Sequence, residues 1–321
     1  MPPDCFKRSC DHGLPCLWFY LWGILVALCV LMSGCQEQIL PSEKQLRLLR
    51  IDRPRPEVSV KRLVAQHNAH VAALDQVWAR SDIRLKWRDE NGKVRHETGD
   101  GVFILARPRR LVLTIGKLGE DVFWAGCDQS RYWLFDLPAD TVYHGRHGKS
   151  LGGEQRSLLL SISPGQVLHL LGLMPLDKVQ WLGLDRGYAL IQPVGSNLRL
   201  MLNPHTGHVA RVDLLGRDGE PDVICLLSKP EAVEQADMPR SQWPYMPTHA
   251  IFYVTEPEAR LELTLRGLTD GVRKNRIDPS AFDFDVLMRV HNPRWQKPLD
   301  SVPEVGAIPW YPAEHEETSV D

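Results

Sequence analysis

The sequence predicts an α+β protein: a strongly curved antiparallel sheet, or incomplete β-barrel, with helices packed on its concave face. The first observation is a meander of short apolar segments and turns over residues 99–143. The second is a later series of strand-like segments with explicit turns, from residue 188 onward. The third is a pair of segments whose apolar residues recur at helical spacing. With 321 residues, of which 43% are hydrophobic, the chain can bury a substantial core.

The N-terminus has the pattern of a targeting segment. Two basic residues precede an apolar run from Leu14 to Met32, which ends in Met-Ser-Gly-Cys at Cys35. This ending resembles a lipobox, which implies a signal peptide over residues 1–34 and lipid attachment at Cys35, whose thiol would carry a diacylglycerol with palmitate as an acyl chain. The apolar run is 19 residues long, close to the ~20 residues that span a bilayer, so an uncleaved membrane anchor is the alternative.

Either attachment places the bulk of the chain outside the cytoplasm, tethered to a membrane. Residues 35–57 are charged and contain three prolines, which predicts a lipidated tether. The residue after the cysteine is Gln36, and by resemblance to lipoproteins of two-membrane bacteria this favours the periplasmic face of the outer membrane. Cys127 and Cys225 either pair as a disulfide or remain buried thiols.

The first predicted helix covers residues 59–81, with Ser59 as its N-cap. His67 and His70 lie three residues apart on it, but no neighbouring carboxylate or cysteine completes a metal site, so no metal is expected. A hairpin with Asn-Gly at its turn follows. A second helix is predicted after Ser163, with Pro164 at its first position.

Several strands of the meander are apolar on both faces. Phe103 and Ile104, for example, point to opposite sides of the sheet. Either helices and loops cover both faces, or one face lines a cavity for an apolar ligand. In a turn of the meander, Leu118 is flanked by glycines and is either exposed to solvent or folded back over its hairpin.

From Ser59 to Phe284, the order of these pieces resembles the LolA/LolB-like superfamily of periplasmic lipoprotein carriers and outer-membrane lipoprotein receptors. The resemblance is carried by a Pro-Arg-Arg-Leu-Val-Leu-Thr strand, a Gly-Lys-Leu-Gly turn, a Tyr-Trp-Leu-Phe strand and an Asn-Pro-x-Thr-Gly-x-Val hairpin. It implies a LolA/LolB-like domain over residues 58–290, a lid helix over an acyl-binding cavity, and a role for Leu118 in delivering cargo to the membrane. Residues 291–321 are rich in proline and acid and are predicted to be a disordered tail.

Strand alternation selects one side of the meander as the wall of such a cavity, and a register shift of one residue would select the opposite face. The predicted ligand-binding residues, with Leu118 added from the resemblance, are Leu111, Leu113, Ile115, Leu118, Val122, Trp124, Tyr132 and Leu134.

The leading functional hypothesis is an envelope lipoprotein that binds a lipid or acylated ligand, in lipoprotein or lipid transport. The second is an interaction or scaffold lipoprotein whose core is filled by side chains. The third is a hydrolase, which requires a polar cluster in the pocket. No nucleotide loop, zinc-protease motif, nucleophile elbow or Cys-x-x-Cys occurs, so neither catalysis nor a cofactor is expected. The formal net charge of −2 argues against a nucleic-acid partner.

Overall fold

The structure is a computed structural model of the chain. It describes residues 39–41, 59–89, 91–147, 162–256, 258–271 and 277–300. The predicted signal peptide, Cys35 and most of the predicted tether lie outside the described residues. The fold reported below belongs to the unit that runs from Ile39 to Asp321.

One open sheet of fourteen strands dominates the described part of the chain. The strands are β1 (Gln76–Arg88), β2 (Val94–Ala106), β3 (Arg110–Lys117), β4 (Glu120–Cys127), β5 (Arg131–Asp136), β6 (Thr141–Arg146), β7 (Val179–Asp185), β8 (Tyr188–Pro193), β9 (Leu198–Leu202), β10 (Val209–Leu215), β11 (Pro221–Ala232), β12 (Tyr245–Val254), β13 (Ala259–Thr269) and β14 (Trp295–Pro298).

The sheet consists of two antiparallel meanders joined at their ends. Strands β1 to β6 follow one another, strands β7 to β13 follow one another, and β1 pairs with β13 in the middle. The last strand, β14, pairs with β6 in parallel. The sheet therefore has β14 at one edge and β7 at the other, in agreement with the predicted open antiparallel sheet.

Within the described ranges, three α-helices accompany the sheet: α1 (Val60–Ala72), α2 (Pro164–Leu170) and α3 (Phe284–His291). Each begins at a side-chain cap, at Ser59, Ser163 and Asp283. At Ser163 the cap is reciprocal, since Gln166 bonds back to the Ser163 backbone. Among the described residues, no helix combines the length and apolar character that a membrane crossing requires.

The helices divide between the two faces of the sheet. Leu63 of α1 and Leu168 of α2 belong to a main core that also contains Tyr132 of β5. Phe284 of α3 belongs to a second core with Trp133, the next residue of the same strand. Because adjacent strand residues point to opposite faces, α3 covers the face away from α1 and α2.

This division explains why the first meander is apolar on both faces. The segment from the 3₁₀ turn Pro279–Phe282 through α3 packs on the second face, where Phe282 contacts Ile104 and Val112. Arg131 holds α3 in place, 4.9 Å above the Phe284 ring and paired with Asp285 at 3.1 Å. In this meander both faces are covered by packed segments.

Two sequence predictions are wrong at their boundaries. The helix predicted over 59–81 ends at Ala72, and Gln76 opens β1, because Val77, Ala79 and Ser81 alternate as buried residues with period two. The tail predicted as disordered from residue 291 contains β14, whose side chains are exposed but whose backbone pairs with β6. Backbone pairing leaves no signature in side-chain polarity; residues 301–321 lie outside the description.

Candidate functional site

A cavity of about 370 Å³ lies between α1, the turn after α2, and strands β8 to β12. Its wall combines aliphatic and aromatic side chains with a few uncharged polar groups. The lining residues are His67, His70, Val71, Leu74, Leu171, Gly172, Leu173, Tyr188, Asn203, Thr206, Gly207, His208, Val209, Ala210, Leu227, Ser228, Pro230, Tyr245, Met246 and Pro247.

Hydrogen bonds fasten α1 to the segment that follows α2. The Asn68 amide nitrogen donates to the Leu176 carbonyl at 2.7 Å, and the Leu176 amide donates back to the Asn68 carbonyl oxygen at 2.8 Å. Arg107 donates to the carbonyls of Leu74 and Leu173, at 3.0 and 3.1 Å. The wall that α1 and residues 171–173 form is thus held by polar contacts outside the cavity.

The rim of the cavity is a cluster of rings. His70 lies 4.9 Å from the His208 ring, and His208 lies 6.0 Å from Tyr245, measured between ring centroids. The His70 Nε2 atom is 3.2 Å from the Thr206 carbonyl oxygen. Gly207 has a φ of +72°, and a Cβ there would lie 3.1 Å from the Gln66 Cβ, so a glycine lets this turn approach α1 closely.

Burial favours the uncharged forms of His67 and His208. It is the main cause that lowers the pKa of His67, against an opposing hydrogen bond to the Met174 carbonyl at 3.0 Å. Burial also lowers the pKa of His208, and the neighbouring His70 and His67 add to the effect. At neutral pH these two side chains thus present neutral imidazoles, which donate and accept hydrogen bonds.

The predicted ligand-binding residues lie elsewhere: the described lining of this cavity includes none of the eight. For Val122 and Trp124, one reason is a β-bulge in β4. Lys117 pairs with Glu120 at the turn, and a regular hairpin would then place Ile115 opposite Val122. The register shifts instead, and Ile115 pairs with Phe123, so Val122 is the additional residue.

The bulge reverses the orientation of the rest of β4. Leu111, Leu113 and Ile115 contact the main core, as do Tyr132 and the cysteine at the end of β4. Leu134 is buried and pairs with Ala125. Ala125 lies two residues before Cys127, so Leu134 points to the same face as the main core.

Trp124, selected for the same wall, packs in the second core on the other face of the sheet. The prediction that side chains alternate regularly between the two faces therefore fails only in β4, where it is wrong by one residue.

Leu118 is exposed, as one of the two interpretations held. Its side chain is 97% accessible, because Leu118 and Gly119 both have positive φ and form the tip of the β3–β4 hairpin. It borders a surface groove with Val122 and Leu137.

A second polar feature runs across β11, β12 and β13. Ser228 Oγ lies 3.0 Å from His249 Nδ1, and His249 Nε2 lies 3.0 Å from Glu262 Oε1. The hydrogen bond from His249 is the main cause that lowers the pKa of Glu262, and Arg260 adds to it at 3.0 Å. Ser228 is exposed and also belongs to the cavity lining.

Cys127 and Cys225 are both free and buried, so of the two alternatives the structure has the thiols. Burial raises the pKa of the Cys127 thiol to about 12. Within the described ranges, no group of three or more His, Cys, Asp or Glu side chains is arranged to hold a metal ion.

The histidines of the rim are the one signal for this cavity in the sequence. His67 and His70 lie together on α1, but His208 lies more than a hundred residues from α1 in the chain. Only the turn around Gly207, which approaches α1, brings them together. The cross-strand relay of Ser228, likewise, depends on the register of three strands and has no local motif.

No family model and no curated protein matches the chain. Among solved structures, the chain is similar to a DUF1329 family protein from Desulfovibrio piger, with 10% identity and a TM-score of 0.49 over 71% of this chain and 98% of that one. It is similar to a LolA superfamily protein from Nitrosomonas europaea, with 10% identity and a TM-score of 0.44 over 66% and 93%.

A third similar structure is an outer membrane lipoprotein-sorting protein domain, described as putative, from Vibrio parahaemolyticus, with 10% identity and a TM-score of 0.47 over 70% and 97%. A LolA superfamily protein and a lipoprotein-sorting protein domain are thus among the solved structures to which the chain is similar. At these identities and scores, the ligand of the chain has to be inferred from its own contacts.

Proposed function

We propose that this chain is a membrane-tethered envelope lipoprotein that binds an acyl chain, or a ligand of similar apolar character, in the cavity beneath α1. One observation carries the proposal: a mainly apolar cavity of about 370 Å³, open to solvent on one side and within the range of about 300 to 1,000 Å³ that is typical of ligand sites. The face of the sheet that bears α1 and α2 is, in this proposal, the concave one.

Binding comes from burying the chain, at about 0.8 kcal/mol per methylene group. Such a site discriminates weakly between chains of similar length, which suits a carrier or receptor. The alternative, a scaffold lipoprotein with a filled core, predicts a wall without a void, and the cavity therefore supports ligand binding over it. Exchange of the ligand with a protein partner or a membrane is part of the proposal.

The tether is proposed from the sequence motif. Acylation at Cys35 would attach the chain to the periplasmic face of the outer membrane, with Gln36 as the sorting residue. Labelled palmitate should enter the wild-type chain and not a Cys35→Ser variant. Incorporation that persists in the variant would contradict this attachment.

The binding experiment uses the full chain in lipid nanodiscs with a photoactivatable acylglycerol. Peptide mapping should place the crosslinks within residues 171–173, 206–210 and 245–247. Val209→Asp, in the cavity wall, should abolish them, because it puts an unpaired carboxylate against the acyl chain. Val194→Asp is the matched control, since Val194 is 66% exposed and lies outside the lining.

Circular dichroism establishes that both variants fold. Crosslinks that map elsewhere, or that survive in Val209→Asp at the control level, would contradict the proposal.

The proposal assigns no catalytic step to the chain. One specific observation favours a second candidate, ester hydrolysis: the relay from Ser228 through His249 to Glu262 at the edge of the cavity lining. In that case Ser228 Oγ would bond to the ester carbonyl carbon while its proton passes to His249 Nδ1. The ester C–O bond would then break, the alcohol would leave with that proton, and water would hydrolyse the acyl-serine.

A fluorophosphonate probe distinguishes the two functions. We expect no labelling of Ser228 and no ester turnover, in the wild-type chain or in Ser228→Ala. Labelling of Ser228, together with ester turnover that Ser228→Ala removes, would replace the binding proposal by the hydrolase.

A further inference from the structure

Within the part of the chain that the structure describes, the cavity wall is free of formal charge. The twenty described lining residues include no Lys, Arg, Asp or Glu, whereas 24% of the chain is charged, so about five would be expected. Polar groups do line it, and they are imidazole, phenol, amide and hydroxyl groups. This combination provides hydrogen bonds without providing a counter-charge.

Charged residues adjoin the lining but are not part of it; Asp75, Arg211 and Glu231 each follow a lining residue in the chain and are absent from the described wall. Lys229 lies between Ser228 and Pro230, which both line it, but Lys229 itself is exposed and outside the lining. Arg107 donates to the carbonyls of wall residues Leu74 and Leu173. Its guanidinium is therefore engaged with the backbone of the wall.

The rim repeats the same chemistry. His70 contacts the Thr206 carbonyl and the His208 ring, and Tyr245 stands beside His208. Burial lowers the pKa of His208, which keeps that imidazole neutral at neutral pH. A carboxylate or phosphate at this depth would lose its hydration without gaining a cation. An ester, amide or alcohol loses less and is satisfied by these donors and acceptors.

We infer that the ligand of this cavity has an uncharged head of the ester, amide or alcohol class. The cavity selects against acyl lipids whose head carries a carboxylate or a phosphate, such as free fatty acids and phospholipids. The inference rests on the proposed function and adds to it the chemical class of the ligand.

The test compares two ligands of equal chain length, monodecanoylglycerol and decanoate, by calorimetry on the full chain in nanodiscs at neutral pH, with empty nanodiscs as the blank. We expect decanoate to bind at least about tenfold more weakly. Equal or tighter binding of decanoate would overturn the inference and leave the proposed function standing. If neither ligand binds, the proposed function itself fails.

A gain of function keeps the test independent of destabilised variants. Tyr245→Lys places a cation at the exposed part of the rim and should raise the ratio of decanoate affinity to monodecanoylglycerol affinity several-fold. Ser241→Lys adds the same charge at an exposed position outside the lining and should leave the ratio unchanged. An unchanged ratio in Tyr245→Lys would show that the head does not reach this rim, and would overturn the inference.

Discussion

Replacing Leu171 by alanine tests where the ligand binds. Leu171 is 1% exposed and lines the cavity directly after α2. The substitution removes three carbon atoms from the wall, so transfer alone costs about 2–3 kcal/mol of unfolding free energy, and the whole loss falls within about 2–5 kcal/mol. The deepened cavity should accept an acyl chain longer by about three methylene groups, each contributing about 0.8 kcal/mol.

The matched control is Leu111→Ala. Leu111 is also 1% exposed and belongs to the same main core, but it lies outside the cavity lining. We expect both variants to lose similar stability in urea unfolding followed by tryptophan fluorescence. Only Leu171→Ala should shift the preferred chain length, measured by competition among acylglycerols of increasing length.

The comparison also separates the two proposed walls. Leu111 belongs to the residues that strand alternation selected, and Leu171 to those that the tertiary structure brings together. A shift of chain length in Leu111→Ala and none in Leu171→Ala would refute the cavity beneath α1 as the binding site. Equal shifts in both would show that the effect reports stability and not cavity depth.

Three further predictions concern buried polar groups. Burial lowers the pKa of His169 from 6.5 to about 4. As the pH drops, the unfolded chain therefore takes up a proton before the native chain does. The free energy of unfolding should fall between pH 6.5 and pH 4, and it should fall less steeply in His169→Gln. An equal pH dependence of both proteins would contradict this. The Asp213 side chain is 3% exposed and pairs with Arg199 at 2.9 Å and with Arg211. Asp213→Asn should lower the free energy of unfolding in urea by about 3–5 kcal/mol, because two guanidinium groups lose their counter-charge. A loss below about 1 kcal/mol would refute this expectation. Because the pKa of Cys127 is raised to about 12, iodoacetamide should alkylate it slowly in the native protein and rapidly in urea, as mass spectrometry would show; equal rates would mean that the site opens without unfolding.

Local chemistry accounts for the parts of the fold that the sequence predicted correctly. The caps at Ser59 and Ser163 depend on residues within a few positions of one another. The order of the strands follows from apolar segments separated by turn residues. These features need no information from distant parts of the chain.

The candidate site was less predictable because its determinants are not local. A single extra residue at Val122 reverses the orientation of β4, and this bulge has no mark in the apolar pattern. Because the first meander is apolar on both faces, its sequence suggested a cavity there. In the structure, Phe282 and Phe284 cover the face that lies away from α1 and α2. Apolar side chains look the same in sequence whether packed segments or ligands cover them.

The sequence by itself determined the sheet-rich class, the turns, the helix starts and the apolar composition from which a cavity can be made, because these depend on period and on neighbouring residues. Tertiary structure alone decided where the cavity lies: it forms where α1, anchored to Leu176 through Asn68, meets the turn around Gly207. A void is defined by what packing leaves unfilled between distant segments, and no local pattern encodes that space.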